Sequence, residues 1–164
     1  MVQPRVEGRR ELLAGDEQAL ALQELVHGAE RSVRVLSDAL DPALFDHEAL
    51  ATEFSRLVRS ARQCEVRILV KDSTNLVKRS HHLATLHRRL VSSVQIRKLT
   101  DFPEHYVANY VLVDERGILF LPMLDDKVCF ANADDRALVN HYAEQFDALW
   151  SRSAPDSELR VMPM

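Results

Sequence analysis

The sequence predicts an α/β fold with a mixed, mostly parallel sheet flanked by helices. Apolar residues switch between helical and strand-like spacing over roughly the first 100 residues. Three strand-like runs then follow one another without a helix, and an amphipathic helix closes the chain. The 164 residues are 46% hydrophobic and 28% charged, as in a soluble globular protein, so we expect one domain over residues 1–164.

Helices and strands alternate in the first part of the chain. Helices are predicted over about 16–32, over about 46–61 and from about residue 80, because apolar side chains recur there every three or four residues. Asp46 is placed to cap the second of these helices. Buried strands are predicted at 33–36, 64–70 and 94–96. This alternation favours parallel strands with helices packed against them.

A C-terminal hairpin region follows. Strands are predicted at 107–114, 117–121 and 127–131. The first link, from Asp114 to Gly117, suits a tight hairpin in which Gly117 accepts a positive φ. The second link, at 122–126, is predicted to be another turn.

The chain closes with a helix from Asp135 to about Arg152, for which Asp134 is the predicted cap. Its apolar residues share one face, which should pack on the sheet. Residues 1–15 and 154–164 are expected to be flexible or to form edge segments.

Cysteine usage and hydropathy favour a cytoplasmic protein. Cys64 and Cys129 lie in apolar runs with no Cys or His at metal-ligand spacing, so we interpret them as small core residues of a reducing compartment. The N-terminal ten residues lack the apolar run of a signal peptide, and no later run has the length of a membrane span.

The net charge of −4 hides an uneven distribution. Residues 56–98 contain eleven Lys and Arg against two acidic residues, whereas residues 101–135 contain two basic residues against eight acidic ones. The basic segment could contact an anionic ligand, although solvated outer faces of helices are the favoured interpretation. No aromatic residues interleave with these bases, which weakens a nucleic-acid hypothesis.

No cofactor or metal is expected. The histidines at 81, 82 and 87 lack the i, i+4 spacing of a zinc-binding helix and are predicted to lie on a solvated helix surface. The acidic pair at 125–126 is typical of a solvated turn, although it could offer oxygens to a hard cation. The four glycines are dispersed, so no phosphate-binding glycine loop is present, and no serine hydrolase elbow is found.

The order of these segments resembles one half of the phospholipase D superfamily over about residues 17–153. The resemblance is carried by four landmarks in sequence: Val33–Ser37, Val66–Asp72, Val107–Asp114 and the closing Glu144–Trp150, which ends in Phe-x-x-x-Trp. The chain also resembles an uncharacterised bacterial family of such domains, found alone or appended to N-acetyltransferase-like domains. The resemblance implies a single phospholipase D-like half with a C-terminal β-hairpin region and a closing helix.

The family's catalytic motif is degenerate here. Active members carry His-x-Lys-x-x-x-x-Asp, in which the His forms a phosphohistidine and the Lys holds the phosphoryl oxygens. Alignment on Asp114 places Val107 at the nucleophile and Asn109 at the Lys. A valine has no lone pair and an amide carries no cation. The following Gly-Ser-x-Asn segment falls on 121–124, which offers neither a hydroxyl nor a side-chain amide.

Two functional hypotheses follow from this resemblance. The favoured one is a catalytically degenerate binding or assembly module that acts as a homodimer, because single-motif members of the superfamily build their site across a dimer seam. An acetyltransferase-type domain is a further expected partner. The alternative is a phosphodiesterase or phosphotransferase with a rearranged site, using His105, Asp114 and a cation such as Lys127. His105 precedes the expected nucleophile by two residues, which preserves side-chain facing in a strand.

Overall fold

A computed structural model describes residues 8–13, 15–78, 81–99, 108–123 and 128–155. The helices in these ranges are α1 (Gly15–His27), α2 (Pro42–Phe45), α3 (Glu48–Ser60), α4 (Thr74–Lys78), α5 (His82–Arg89) and α6 (Arg136–Ser151). The strands are β1 (Arg9–Leu12), β2 (Ser32–Ser37), β3 (Glu65–Val70), β4 (Val94–Lys98), β5 (Ala108–Val113), β6 (Gly117–Pro122), β7 (Cys129–Asn132) and β8 (Ala154–Pro155).

These strands form one mixed sheet in the order β1-β7-β6-β5-β2-β3-β4-β8. The predicted α/β fold is confirmed, but the parallel share is smaller than expected. In the described chain, only β2 with β3 and β3 with β4 pair in parallel, whereas the other five pairings are antiparallel. The reason is that β5 follows β4 in sequence but pairs antiparallel with β2. The strands of the hairpin region are therefore added beside β2, on the side away from β3.

Side chains alternate along each strand, so the two faces of the sheet bury separate apolar clusters. On one face, α1, α3 and α5 pack against residues such as Val35 and Ile68. On the other face, α6 packs against residues such as Leu36 and Leu69. The last three residues of β2 and of β3 are all buried, which follows from this burial on both sides.

The β5–β6 hairpin departs from the predicted turn chemistry. Val113 pairs with Gly117, but the positive φ of 56° falls on Asp114 and not on the glycine. Asp tolerates this left-handed conformation better than most residues. Gly117 is instead tightly packed: a Cβ there would lie 3.1 Å from Cδ1 of Leu25 and 3.3 Å from Cβ of Val113, so these neighbours would have to shift by a few tenths of an ångström.

Two predicted helix caps are also wrong. His47 is the residue at the cap position of α3, without a side-chain capping bond, and Asp46 instead accepts hydrogen bonds from His82. For α6 the cap is Asp135, whose carboxylate accepts from the backbone N–H of Leu138, and not the predicted Asp134. At α6 the acceptor one residue further on is used, whereas at α3 the hydrogen bonds between Asp46 and His82 leave the helix without a side-chain cap.

The edges of the sheet are short strands at the two ends of the described chain. β1 pairs antiparallel with β7, and β8 adds two residues beside β4. β1 and β8 are thus the two outermost strands of the described sheet. Residues 156–164 of the predicted terminal segment lie outside the described residues. Within the described ranges, no helix is long and apolar enough to cross a membrane.

Candidate functional site

The candidate site lies at the carboxyl ends of the parallel strands β2 and β3. We call this end of the sheet the site edge, as distinct from the outer strands. β2 ends at Ser37 and β3 at Val70, and because β5 runs antiparallel to β2, its first residues meet the same edge. Ligand sites of α/β sheets lie outside the carboxyl ends of parallel strands. This edge therefore brings together polar side chains from the loops after β2 and β3 and from the start of β5.

Asp38 and Asn109 form a reciprocal pair at this edge. The backbone N–H of Asp38 donates to Oδ1 of Asn109 at 3.1 Å, and Nδ2 of Asn109 donates to Oδ1 of Asp38 at 3.2 Å. Oδ1 of Asp38 also accepts from the backbone N–H of Ala39 at 2.8 Å. Both side chains are half-buried. The amide of Asn109 is thus bound to a carboxylate of the same chain.

The loop that carries Asp38 is held in one conformation. The backbone carbonyl of Asp38 accepts hydrogen bonds from the N–H groups of Lys71 and Asp72, which follow β3. Ser37 Oγ accepts from the N–H of Leu40, a fully buried residue with a φ of 51°. A left-handed conformation costs a non-glycine residue roughly 1–2 kcal/mol, so packing and hydrogen bonds must offset that strain here.

The chemistry of this edge is acidic and acceptor-rich. Asp38 contributes one carboxylate, and Asp72 contributes a second, which accepts from the backbone N–H and hydroxyl of Thr74. A transferring phosphoryl group needs cations or hydrogen-bond donors aimed at its oxygens. One N–H of the Asn109 amide donates to Asp38, whose negative charge repels a phosphodiester.

Asp114 lies at the opposite end of β5 from Asn109. The two residues are five positions apart along an extended strand, which corresponds to a distance of about 17 Å at the rise of a β-strand. Its carboxylate accepts from the backbone N–H groups of Glu30, Arg31 and Ser32, at distances of 2.8 to 3.3 Å. Asp114 thereby ties the hairpin turn to the start of β2, and the structure does not bring it together with Asn109.

Other sequence-derived candidates lie outside the described residues. These are His105, Val107, Lys127 and the acidic pair at 125–126. Residues 121–123, aligned with the start of the Gly-Ser-x-Asn segment, are Leu, Pro and Met, and Met123 is 45% exposed. Val128, just before β7, is 42% exposed. Met123 and Val128 therefore add exposed apolar surface near this end of the sheet.

The histidines on α5 differ from the prediction of a solvated surface. His81 is fully buried, and its Nδ1 accepts from the backbone N–H of Leu83 as the cap of α5. Burial lowers the pKa of His81 below its ordinary value of 6.5, and the nearby Asp46 carboxylate offsets this only in part. His87 is half-buried and bonds the carbonyl of Val94 through Nδ1. Only His82 of the three is exposed.

Asp46 links these histidines to α2. Oδ1 of Asp46 lies 2.7 Å from Nδ1 of His82 and 3.8 Å from Nδ1 of His81. Burial raises the pKa of Asp46, but hydrogen bonds from His82 and the charges of both histidines outweigh it, so the pKa lies below its ordinary value. Among the described residues, no group of three or more His, Cys, Asp or Glu side chains is arranged to hold a metal ion.

Both cysteines are free, and neither lies at the candidate edge as a nucleophile. Cys64 is buried, and Cys129 is half-buried in β7. Burial raises the pKa of Cys129 to about 11, which keeps it a neutral thiol at physiological pH. This environment agrees with the prediction that both are small core residues.

Sequence reasoning missed Asp38 as a site residue. Its signal was available, because Ser37-Asp38 directly follows a buried strand, where side chains reach the carboxyl edge of a sheet. The partner of Asp38 was not available, since only the pairing of β5 with β2 brings Asn109 beside it.

Several solved structures share the fold at low sequence identity. TrmBL2, an archaeal chromatin protein with a novel mode of DNA binding, is 15% identical with a TM-score of 0.66, over 94% of this chain. The chain spans only 57% of TrmBL2. NucT from Helicobacter pylori is 12% identical with a TM-score of 0.62, over 90% of this chain and 98% of NucT.

A phospholipase D family member, Nuc from Salmonella typhimurium, is 14% identical with a TM-score of 0.56, over 84% of this chain and 89% of Nuc. These likenesses show that the fold is phospholipase D-like. No curated protein matches the sequence significantly. A family model described as "Domain of unknown function (DUF7931)" matches residues 15–162, so the chain belongs to that family.

Proposed function

We propose that this chain is a catalytically degenerate phospholipase D-like domain that serves as a cytoplasmic binding or assembly module and acts as a homodimer. The observation that carries the proposal is the Asp38–Asn109 pair. It puts a carboxylate-bound amide where the resemblance expects a cation, so Asn109 supplies no positive charge to hold phosphoryl oxygens.

The loss of function is expected to be large. Removing one preorganised oxyanion donor costs an enzyme roughly 10²–10³ in kcat, and a valine at the nucleophile position removes the covalent step as well. A half-buried carboxylate beside the same point adds electrostatic repulsion of an anionic substrate. These effects act on the same step, and together they favour a binding role over turnover.

Pairing of two copies is supported by the apolar character of the edge. Met123 and Val128 flank residues 124–127 and expose 45% and 42% of their surfaces. They lie at the end of the sheet where β5 begins, Met123 just after β6 and Val128 just before β7. A second copy seated on this edge would cover them, as the resemblance to single-motif phospholipase D-like proteins implies. An acetyltransferase-type partner rests on that resemblance alone.

The test is the turnover of a generic phosphodiester, bis(p-nitrophenyl) phosphate. We expect the purified wild-type protein to release p-nitrophenol at the uncatalysed rate. His105→Ala and Lys127→Ala are expected to match it, because neither residue is then part of a site. A wild-type rate above background that falls at least tenfold in His105→Ala would establish the rearranged phosphodiesterase instead. Glu115→Gln, an exposed hairpin substitution, controls for contaminating activity.

A further inference from the structure

A groove separates α3 from α5 on the three-helix face of the sheet. It encloses a cavity of 670 Å³, lined by Glu48, Ala51, Thr52, Ser55, Arg56, Arg59, His82, Thr85, Leu86 and Arg89. The two helices are parallel, because each leads from one strand of the parallel β2-β3-β4 unit to the next. Their last turns therefore lie at the same end of the groove.

Two arginines line that end of the groove, and no carboxylate of the described lining lies beside them. Arg59 is in the last turn of α3, and Arg89 is in the last turn of α5. Both are exposed, and neither makes a hydrogen bond or ion pair with another residue of the described chain. The carboxylate in the lining belongs to Glu48, in the first turn of α3, about 16 Å away along the helix axis.

Arg56 fixes the wall of the groove beside these arginines. Its guanidinium donates to the carbonyls of Val26, His27 and Ala29 at the end of α1, and to Glu53 on its own helix. Nε and Nη2 of Arg56 are therefore engaged, whereas no hydrogen bond ties the guanidinium of Arg59 or Arg89 to the described chain. Hydroxyl groups of Thr52, Ser55 and Thr85 line the floor and sides between the charged ends.

We infer that this groove binds a small phosphate-bearing anion through Arg59 and Arg89. Guanidinium groups match phosphate oxygens with paired, charge-assisted hydrogen bonds, and hydroxyls can donate to the remaining oxygens. A cavity of 670 Å³ suits a small molecule and not an extended polymer. The arginine end lies away from the strand edge that carries Asp38 and Asn109, so this inference does not depend on the proposed function.

The test is isothermal titration of the full chain with inorganic pyrophosphate at physiological salt. We expect saturable binding by the wild type, and at least about tenfold weaker binding by the Arg59→Gln/Arg89→Gln double variant, since each lost charged hydrogen bond is worth about a factor of ten. The matched control is Arg31→Gln/Arg152→Gln, which removes two exposed arginines outside the groove and should leave affinity within about twofold of the wild type.

Three outcomes would overturn the inference. The first is no saturable binding of pyrophosphate by the wild type beyond that seen with sodium chloride of equal ionic strength. The second is equal loss of affinity in the groove variant and the control variant, which would indicate net charge alone. The third is binding of a short single-stranded oligodeoxynucleotide with none of pyrophosphate. Thermal unfolding of each variant without ligand confirms that the comparison is between folded proteins.

Discussion

Asp114 is the residue whose role changes most between sequence and structure. In the resemblance it stands at the motif's aspartate, whereas in the structure its carboxylate accepts three backbone N–H groups at the start of β2. It also holds a left-handed backbone conformation, which Asp tolerates and which closes the hairpin. Packing of the turn against β2 accounts for this residue without any catalytic chemistry.

Separate substitutions can resolve these two contributions. Asp114→Gly keeps the left-handed conformation but loses the acceptor, and we expect it to destabilise the fold by about 2–4 kcal/mol. Asp114→Asn keeps an acceptor oxygen and a tolerated φ, so about 1 kcal/mol is expected. Urea unfolding measures both, with Glu115→Gln as the exposed control in the same turn. Equal stability of Asp114→Gly and wild type would contradict this structural role.

Asn109 shows what sequence can and cannot supply at this scale. The sequence alone predicts that Asn109 stands where the resemblance expects the motif's Lys. The carboxylate that binds Asn109 comes from a loop 71 residues earlier in the chain, so its contact depends on the pairing of β5 with β2. His81 is a similar case, because periodicity marks the helix but not the depth of the residue that caps it.

At the scale of elements, α2 and α5 are joined by a titratable contact. Asp46 ends α2 and accepts from His82 at the start of α5, while the buried His81 caps α5. Protonating His81 would place a charge in the core and, where the proton occupies Nδ1, remove the cap acceptor. Burial keeps the pKa of His81 below 6.5, so the unfolded chain binds this proton more readily than the folded one.

The sign of the pH dependence follows from that difference. The contribution of neutral His81 to the free energy of unfolding is fully present above pH 6.5. On acidification the free energy of unfolding falls by at most about 1.4 kcal/mol per pH unit. His81→Asn keeps a capping acceptor but does not titrate. We expect its loss of stability between pH 7 and pH 5 to be smaller than that of the wild type, measured by urea unfolding at each pH. His141→Asn, at an exposed site on α6, should behave like the wild type.

Elements were predicted better than their connections. The strand cores at 33–36, 66–70 and 94–96 and the closing helix agree with the structure, because their apolar spacing reports burial directly. The short helices α2 and α4 were not predicted, since four or five residues carry too little periodicity to separate a helix from a loop. β1 was left open between a flexible and an edge segment, because pairing with β7 defines it.

For the whole molecule, self-association is the next consequence of the proposal. One chain has a mass of 18.7 kDa. Light scattering after size exclusion should give about twice that mass at micromolar concentration, because pairing at the site edge covers exposed apolar side chains. Met123→Glu/Val128→Glu is expected to shift the mass towards the monomer. Leu20→Glu, which alters an exposed apolar residue on α1, serves as the control.

A monomeric mass for the wild type at every concentration would contradict homodimer formation. Dissociation by the control variant to the same extent as by the edge variant would place the interface elsewhere. Neither result would count as evidence for catalysis, because the homodimer is argued from Met123 and Val128 and the degenerate site from Asp38 and Asn109.

The Asp38–Asn109 pair is most directly tested by the side-chain amide signal of Asn109 in a ¹⁵N–¹H correlation spectrum. The signal is assigned by its loss in Asn109→Ser and followed during titration with dimethyl phosphate. If the Asn109 amide stays hydrogen-bonded to Asp38, its chemical shift does not change up to millimolar concentrations of the diester. A saturable shift of the Asn109 signal that vanishes in His105→Ala would contradict the account, because it would mean that the strand edge still holds a phosphodiester.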